Sequence, residues 1–261
     1  MYRTADAPTR HHRKESFLAI YHCSIKIIGR SKSKSAVRSA AYRAGEKITN
    51  DYDGQTHDYT KKSGVIHTEI LLPAHAPKEY ADRSVLWNAV EQIEKAKNAQ
   101  LAREFELALP VELPTEQNIT LAREYVKKHF VDKGMCADVC IHDTGTGNPH
   151  AHVMLTLRPI NENGKKIKLK SGEYKSRKVN AVDWNEQTKA EEWREGWANT
   201  VNKHLSEHDV KERIDHKSYE RQGVGKYRLF TWAWRLLLWR RKASEPSAAI
   251  LTAKSPLPTA R

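Results

Sequence analysis

The sequence predicts an α+β fold, a mostly antiparallel central sheet flanked by helices. Three observations carry this. Short alternating runs are interleaved with helical stretches along the chain. Two of the runs, MCADVCIHD (135–143) and HAHVMLTLRP (150–159), are joined by TGTGNP, a glycine-rich hairpin connection. No internal repeat points to a solenoid.

In chain order, residues 1–16 are polar and aperiodic and read as a disordered extension. The alternating FLAIYHCSIKII (17–28) reads as a strand, ended by Gly29 and a Ser/Lys run. A helix follows through Ala36, Val37, Ala40, Ala41 and Tyr42, capped by Ser33 or Ser35. Residues 48–64 are polar and turn-rich, and VIHTEILLP (65–73) reads as a strand stopped by Pro73. A helix is expected over Lys78–Asn98 and a strand over LAREFELALP (101–110). Pro114 opens a helix to about His129. The hairpin then leads, through a polar stretch with an Asn-Glu-Asn-Gly turn at 161–164, to a long helix over Val182–Ser206. Trp184, Trp193 and Trp197 belong to its apolar side.

Of 261 residues, 39% are apolar and 30% charged, the balance of a soluble globular domain. No run of eighteen apolar residues could span a bilayer, and no apolar signal core opens the chain, so a cytoplasmic location without stable membrane insertion is expected. Three cysteines, Cys23, Cys136 and Cys140, are too few for a disulfide framework.

The net charge of +13 points to a polyanionic partner. Residues 1–16 and 223–261 hold 12 of the 45 basic and 3 of the 32 acidic residues, so the intervening chain nets only +4. Within it, 26–47 and 158–178 each net +6 on an otherwise acidic body. Two concentrated patches of this kind suit phosphates, although a solvated face or loop gives the same charge run. The candidate phosphate contacts are Arg30, Lys32, Lys34, Arg38 and Arg43 in the first patch, and Lys168, Lys170, Arg177 and Lys178 in the second, DNA-binding residues if the polyanion is a nucleic acid.

The strongest chemical signal is the HDTGTGNPHAH stretch, with His142, His150 and His152. Side chains alternate along a strand, so His150 and His152 share a face, and the short connection sets His142 beside them. Three imidazoles on one face can hold a divalent metal and leave positions open for substrate oxygens. The apolar Val139, Ile141, Val153, Leu155 and Leu157 fall on the opposite face. Cys140 shares the parity of His142, which leaves a closed Cys/His₃ zinc site conceivable. Glu104 and Glu106 share one face of their strand. Either can serve as general base or orient a metal-binding imidazole, unless both are exposed carboxylates on an edge strand. Tyr42, with Arg38, Arg43 and Lys47 nearby, is a candidate nucleophile; a tyrosine packing a helix rim is the ordinary alternative.

The stretches AIYHCSIKIIGRS, SAVRSAAYRAGEK, YDGQTHDYTKKSGVIHTEILLP, NAQLAREFELALP, NPHAHVMLTLRP and EEWREGWANTVNKHL occur in that order over roughly residues 18–222. Together they resemble the MobA/MobL (MobQ-class) conjugative relaxases of the histidine–hydrophobic–histidine endonuclease superfamily. The resemblance implies a five-stranded antiparallel sheet with helices around it and a metal on its face. It implies that Tyr42 is the nucleophile, that His142, His150 and His152 are metal ligands, and that Glu104, with Glu106 nearby, is the general base or histidine support. The expected function is strand-specific nicking and rejoining at a plasmid or mobile-element transfer origin through a 5′-phosphotyrosyl intermediate, with Mg²⁺ or Mn²⁺ as cofactor. Single-stranded and duplex DNA are the implied partners, with accessory mobilisation proteins and a type IV coupling protein.

The domain organisation expected is an extension over 1–16, a relaxase domain over 17–222 and an atypical tail over 223–261. Family members start near the equivalent of Phe17. Beyond Gln222 they continue with an Ile-Pro-Thr-x-His-x-Gly stretch, where this chain reads GKYRLFTWAWRLLLWRRK. A basic, Trp-rich interfacial segment, a natural alternative tail and a frameshift are the readings open for it. The frameshift is favoured, because codons such as AAA-TAC-CGA-CTG-TTC-ACA-TGG encode Lys226–Trp232 while an adjacent frame of the same string reads Ile-Pro-Thr-Val-His-Met. Three rivals to the relaxase reading stand beside it: a rolling-circle replication initiator, a DNA-binding protein that has lost nicking, and a structural zinc protein using Cys140.

Overall fold

Along Gln100–Ala108 the apolar Phe105 and Leu107 alternate with Glu104 and Glu106, which makes it the strand that organises the sheet. In a computed structural model, which describes residues 21–94, 96–158 and 183–217, this is the longest strand, at nine residues. The chain divides into Met1–His216, which holds every element below, and Lys217–Arg261, of which only Lys217 is described.

The strands are β1 (Cys23–Gly29), β2 (Lys47–Thr49), β3 (Thr56–Asp58), β4 (Val65–Leu71), β5 (Gln100–Ala108), β6 (Ala137–His142) and β7 (His150–Leu155). The helices are α1 (Ala36–Ala44), α2 (Arg83–Ile93), α3 (Thr115–His129) and α4 (Gln187–Glu207). Five strands form one sheet in the order β1-β5-β7-β6-β4, with every neighbouring pair antiparallel. The α+β architecture expected from the sequence is therefore the one observed.

One face of the sheet is apolar. Phe105, Leu107, Val139, Ile141, Val153 and Leu155 are buried with Tyr125 and Phe130 and with Trp193 and Trp197 of α4. Their rings interlock: Phe105 lies 4.8 Å from Phe130, and Tyr125 lies 5.0 Å from Trp197, edge to face. Losing one such ring costs about 3–5 kcal/mol, so this face anchors the sheet. The other face packs Ile28, Ala102 and Met154 under Ala36, Val37, Ala40 and Ala41 of α1 and Leu86, Trp87 and Val90 of α2. Small alanines let α1 lie close over the sheet. Ser35 caps its start, accepting from the Arg38 amide at 3.1 Å. Gly45 (φ 68) ends it in the left-handed region, its amide returning to the Ala41 carbonyl.

Several boundaries differ from the sequence reading. The helix expected over Lys78–Asn98 is a short 3-10 turn (Lys78–Ala81) and then α2, because Asp82 caps a new start by accepting from the Val85 amide. The turn-rich 48–64 contains the β2–β3 ribbon, whose three-residue strands are too short to show alternation. The strand read over 17–28 runs over Cys23–Gly29, and residues 1–20 lie outside the description. Trp184 is buried in the core but precedes α4, which begins at Gln187. The tail at 223–261 and most of the second basic patch also lie outside the described residues. No helix among those described is long and apolar enough to cross a membrane.

Candidate metal centre

His142 ends β6, and His150 and His152 lie at the first and third positions of β7. In the ladder His142 opposes His150 and Cys140 opposes His152, so all three rings stand on the α1/α2 side of the sheet. Their centroids are 4.9–5.4 Å apart and their ligand atoms lie within 4.8 Å of one another. Among the described residues this is the one group of three or more histidines, cysteines and carboxylates so gathered.

Each ring also meets a protein acceptor. His152 Nδ1 donates to Glu104 Oε1 at 3.1 Å, His150 Nδ1 to the Asn148 carbonyl at 2.9 Å and His142 Nε2 to the Arg43 carbonyl at 2.6 Å. These bonds assign the tautomers and orient the rings, leaving one nitrogen of each for an ion. Burial pushes His142 down to about 4, and the Lys62 ammonium and neighbouring imidazoles act in the same direction. Burial likewise lowers His152. Neutral imidazole is the form that ligates a metal, so the donor set suits a divalent cation.

Glu104 reaches His152 because β5 neighbours β7, with Glu104 opposite Met154 and Glu106 opposite His152. Burial pushes its carboxyl up, but the hydrogen bond from His152 and the Arg43 guanidinium prevail and hold it at about 2. Arg43 Nε donates to Glu104 Oε1 at 2.6 Å and a second Arg43 nitrogen to the Ser39 carbonyl at 2.7 Å. Glu106 points the same way but pairs with Lys26 at 2.8 Å. β5 is an interior strand and Glu104 is buried, so the edge-strand alternative for that residue does not hold.

The last turn of α1 lies against the trio. Arg43 supplies the carbonyl that His142 meets, and the residue before it is Tyr42, half exposed, its ring edge-to-face with Tyr59 at 5.2 Å. Lys62 joins the two groups: its Nζ lies 4.1 Å from the Tyr42 ring centroid, 2.9 Å from the Tyr42 carbonyl and 3.4 Å from His142 Nε2. Burial lowers the Lys62 ammonium from its ordinary value.

Cys140 does not join this group. Its sulfur lies 3.6 Å from Asp138 Oδ1 and 4.0 Å from an Arg83 nitrogen, and burial pushes the thiol well above its ordinary range. A closed Cys/His₃ site is therefore not what the structure contains. Asp138 instead accepts two bonds from Arg83 at 2.9 Å and one from Trp87 Nε1 at 2.8 Å, and Arg83 also pairs with Glu46 just beyond α1. Neither this buried network nor Lys62 has a role in the sequence reading; long-range pairing alone reveals them.

Of the first basic patch, Lys32, Lys34 and Arg38 are exposed, Arg38 reaching the Tyr59 hydroxyl at 3.3 Å. Arg30 faces inward instead. It pairs with Glu91, donates to the carbonyls of Glu91 in the last turn of α2 and of Glu94 and Ala96 beyond it, and stacks 4.1 Å from the Tyr52 ring. Lys168, Lys170, Arg177 and Lys178 lie outside the described residues.

Residues 34–228 match the MobA/MobL family. The chain is 41% identical over 232 residues to the conjugal transfer protein TraA of Rhizobium radiobacter, covering 79% of this chain and 20% of that protein. It is 36% identical over 237 residues to the mobilization protein MobL of Acidithiobacillus ferridurans, covering 79% and 60%. The chain thus spans a fifth to three fifths of these relatives' lengths. A solved structure described as "Molecular Basis of Vancomycin Resistance Transfer in Staphylococcus aureus" is similar in fold, with a TM-score of 0.69, 35% identity and coverage of 77% of this chain and 100% of that one.

Proposed function

The chain belongs to the MobA/MobL family, and from that premise we propose that it nicks and rejoins one DNA strand at a transfer origin, with Tyr42 as nucleophile. The observation that carries this reading is the contact of α1 with the histidine trio: His142 meets the carbonyl of the residue that follows Tyr42. A phenol and a metal-binding cluster held by one short turn can engage a single phosphodiester.

The Tyr42 oxygen attacks phosphorus in line with the 3′ oxygen. The O–P bond to tyrosine forms as the P–O3′ bond breaks; the phenol proton passes to solvent, and the departing 3′ oxygen takes one up. One phosphodiester replaces another, so the 3′ hydroxyl can reverse the step and rejoin the strand. A divalent cation held by His142, His150 and His152, Mg²⁺ or Mn²⁺ in cells, would supply Lewis-acid polarisation of the phosphate. Glu104 acts as a positioning residue. A carboxyl held at about 2 by Arg43 and His152 is a weak base at neutral pH but a firm anchor for the His152 ring.

The exposed Lys32 and Lys34, just before the nucleophile's helix, and Arg38 in its first turn are suited to hold the strand backbone, with Lys168, Lys170, Arg177 and Lys178 as further phosphate contacts. Arg43 serves through Glu104, and Arg30 through α2. Acting in the cytoplasm, such a protein would work with accessory mobilisation proteins and a type IV coupling protein.

The test is incubation of the full chain with labelled single-stranded oligonucleotides tiled across the DNA flanking its coding sequence, with Mn²⁺ or with EDTA. One strand should be cut and carry covalently bound protein, and EDTA, Tyr42→Phe and His152→Ala should each abolish this. Attachment retained by Tyr42→Phe would reject that tyrosine, and cutting in excess EDTA would reject the metal.

A further inference from the structure

We propose that Lys62 is a catalytic residue whose ammonium grips the phosphate that bridges Tyr42 and the histidine trio. The proposal rests on the functional reading above and adds a group to which the sequence reading gave no role.

The placement of Lys62 is built rather than incidental. It lies in the segment between β3 and β4, which turns on a bond from the Lys62 amide to the Tyr59 carbonyl at 2.9 Å. Two residues on, the Gly64 carbonyl accepts from the Asp143 amide at 2.8 Å, fastening this segment to the residue after His142. Gly64 has φ +82, and a Cβ there would stand 2.8 Å from Thr144 Cγ2, so the close approach needs glycine. The result is an ammonium that touches the Tyr42 carbonyl, faces the Tyr42 ring and stands 3.4 Å from His142 Nε2.

The neighbouring cations are otherwise engaged. Arg43 is paired with Glu104 and the Ser39 carbonyl, and Arg38 reaches the Tyr59 hydroxyl. A lysine that merely neutralises the carbonyl end of α1 needs the Tyr42 carbonyl contact alone. Lying also over the phenol ring and beside His142, this ammonium stands where a phosphate shared by the two must pass. Charge gathers on the non-bridging oxygens as the tyrosyl O–P bond forms and the P–O3′ bond breaks. A fixed cation there stabilises that state more than the bound strand. Lys62 transfers no proton; the phenol proton and the 3′ oxygen exchange with solvent as above.

The experiment uses the full chain, the single strand that wild type cuts, and the variants Lys62→Met and Lys62→Cys. The three native cysteines are buried, so 2-bromoethylamine on folded Lys62→Cys restores an ammonium at that position alone. At saturating strand, Lys62→Met should cut about 100-fold more slowly. Its thermal midpoint and its strand affinity in EDTA should stay close to wild type, and aminoethylated Lys62→Cys should recover to within tenfold of wild type. Cutting by Lys62→Met within threefold of wild type would overturn the role. So would an aminoethyl adduct that is folded yet no faster than Lys62→Cys. A wild-type chain that cuts no tested strand would overturn the functional reading and this role with it, an outcome distinct from wild-type cutting that Lys62→Met equals.

Discussion

Replacing Glu104 with Gln removes a single charge from the most highly connected point of the site. Glu104 Oε1 accepts from both His152 Nδ1 and Arg43 Nε, and the residue is 5% exposed. Its carboxyl is held at about 2 instead of 4.5. That difference corresponds to about 3 kcal/mol favouring the ionised form in the folded chain, which the neutral amide forfeits. For a domain of this size the thermal midpoint should fall by roughly 6–12 °C in EDTA. The sign gives a further check. A depressed carboxyl contributes stability above its unfolded value and loses it as pH falls through the folded one, so the wild-type advantage should shrink between pH 4.5 and about 2. Metal affinity should fall as well, by about 10–100-fold, because the anchored tautomer of His152 loses its charged acceptor. Calorimetric titration with Mn²⁺ and urea unfolding in EDTA read the two effects separately. An affinity within threefold of wild type would refute the role given to the Glu104–His152 bond, and an unchanged urea midpoint would refute the electrostatics.

Further predictions follow from the same contacts. Because burial holds His142 at about 4 instead of 6.5, its neutral form stabilises the fold above pH 6.5, and about 3 kcal/mol should be lost as pH falls from 6.5 to 4; His142→Asn should flatten that part of a urea-midpoint profile. Arg83→Met strands the buried Asp138 carboxylate and frees Glu46, so it should cost about 3–5 kcal/mol in urea unfolding, while a loss below 1 kcal/mol would show the network to be dispensable. Gly64→Ala, strained by its φ and by Thr144, should slow strand cutting along with Lys62→Met, and an unaffected rate would separate the segment's geometry from catalysis.

How much of this was legible in the sequence follows from the range of the interactions. The shared face of His142, His150 and His152 was legible because strand parity and a seven-residue connection are local. A serine cap, Ser33 or Ser35, and the alternation of Glu104 with Phe105 were legible for the same reason, and the structure assigns the cap to Ser35. Which glutamate reaches a histidine was not, because that depends on β5 pairing with β7, 48 residues away between Glu104 and His152. Charge alone grouped Arg30 with Lys32 and Lys34, whereas packing turned it toward the carbonyls ending α2. Lys62 sat in a run that reads as loop, and only the fold brings it to His142, 80 residues on. The apolar periodicity of 78–98 concealed the break that Asp82 makes as the cap of α2. The resemblance to the MobA/MobL family supplied what periodicity could not, namely the expectation that Tyr42 works with the trio.

The central claim is that Tyr42 and the three histidines act on one phosphodiester. It is tested most directly by cutting a strand with the full chain in Mn²⁺, digesting the covalent product with trypsin and locating the nucleotide by mass spectrometry. The adduct should lie on the tyrosine of the peptide Ser39–Arg43, through its phenolic oxygen. An adduct on any other residue, or a cut strand carrying no protein at its 5′ end, would contradict the claim.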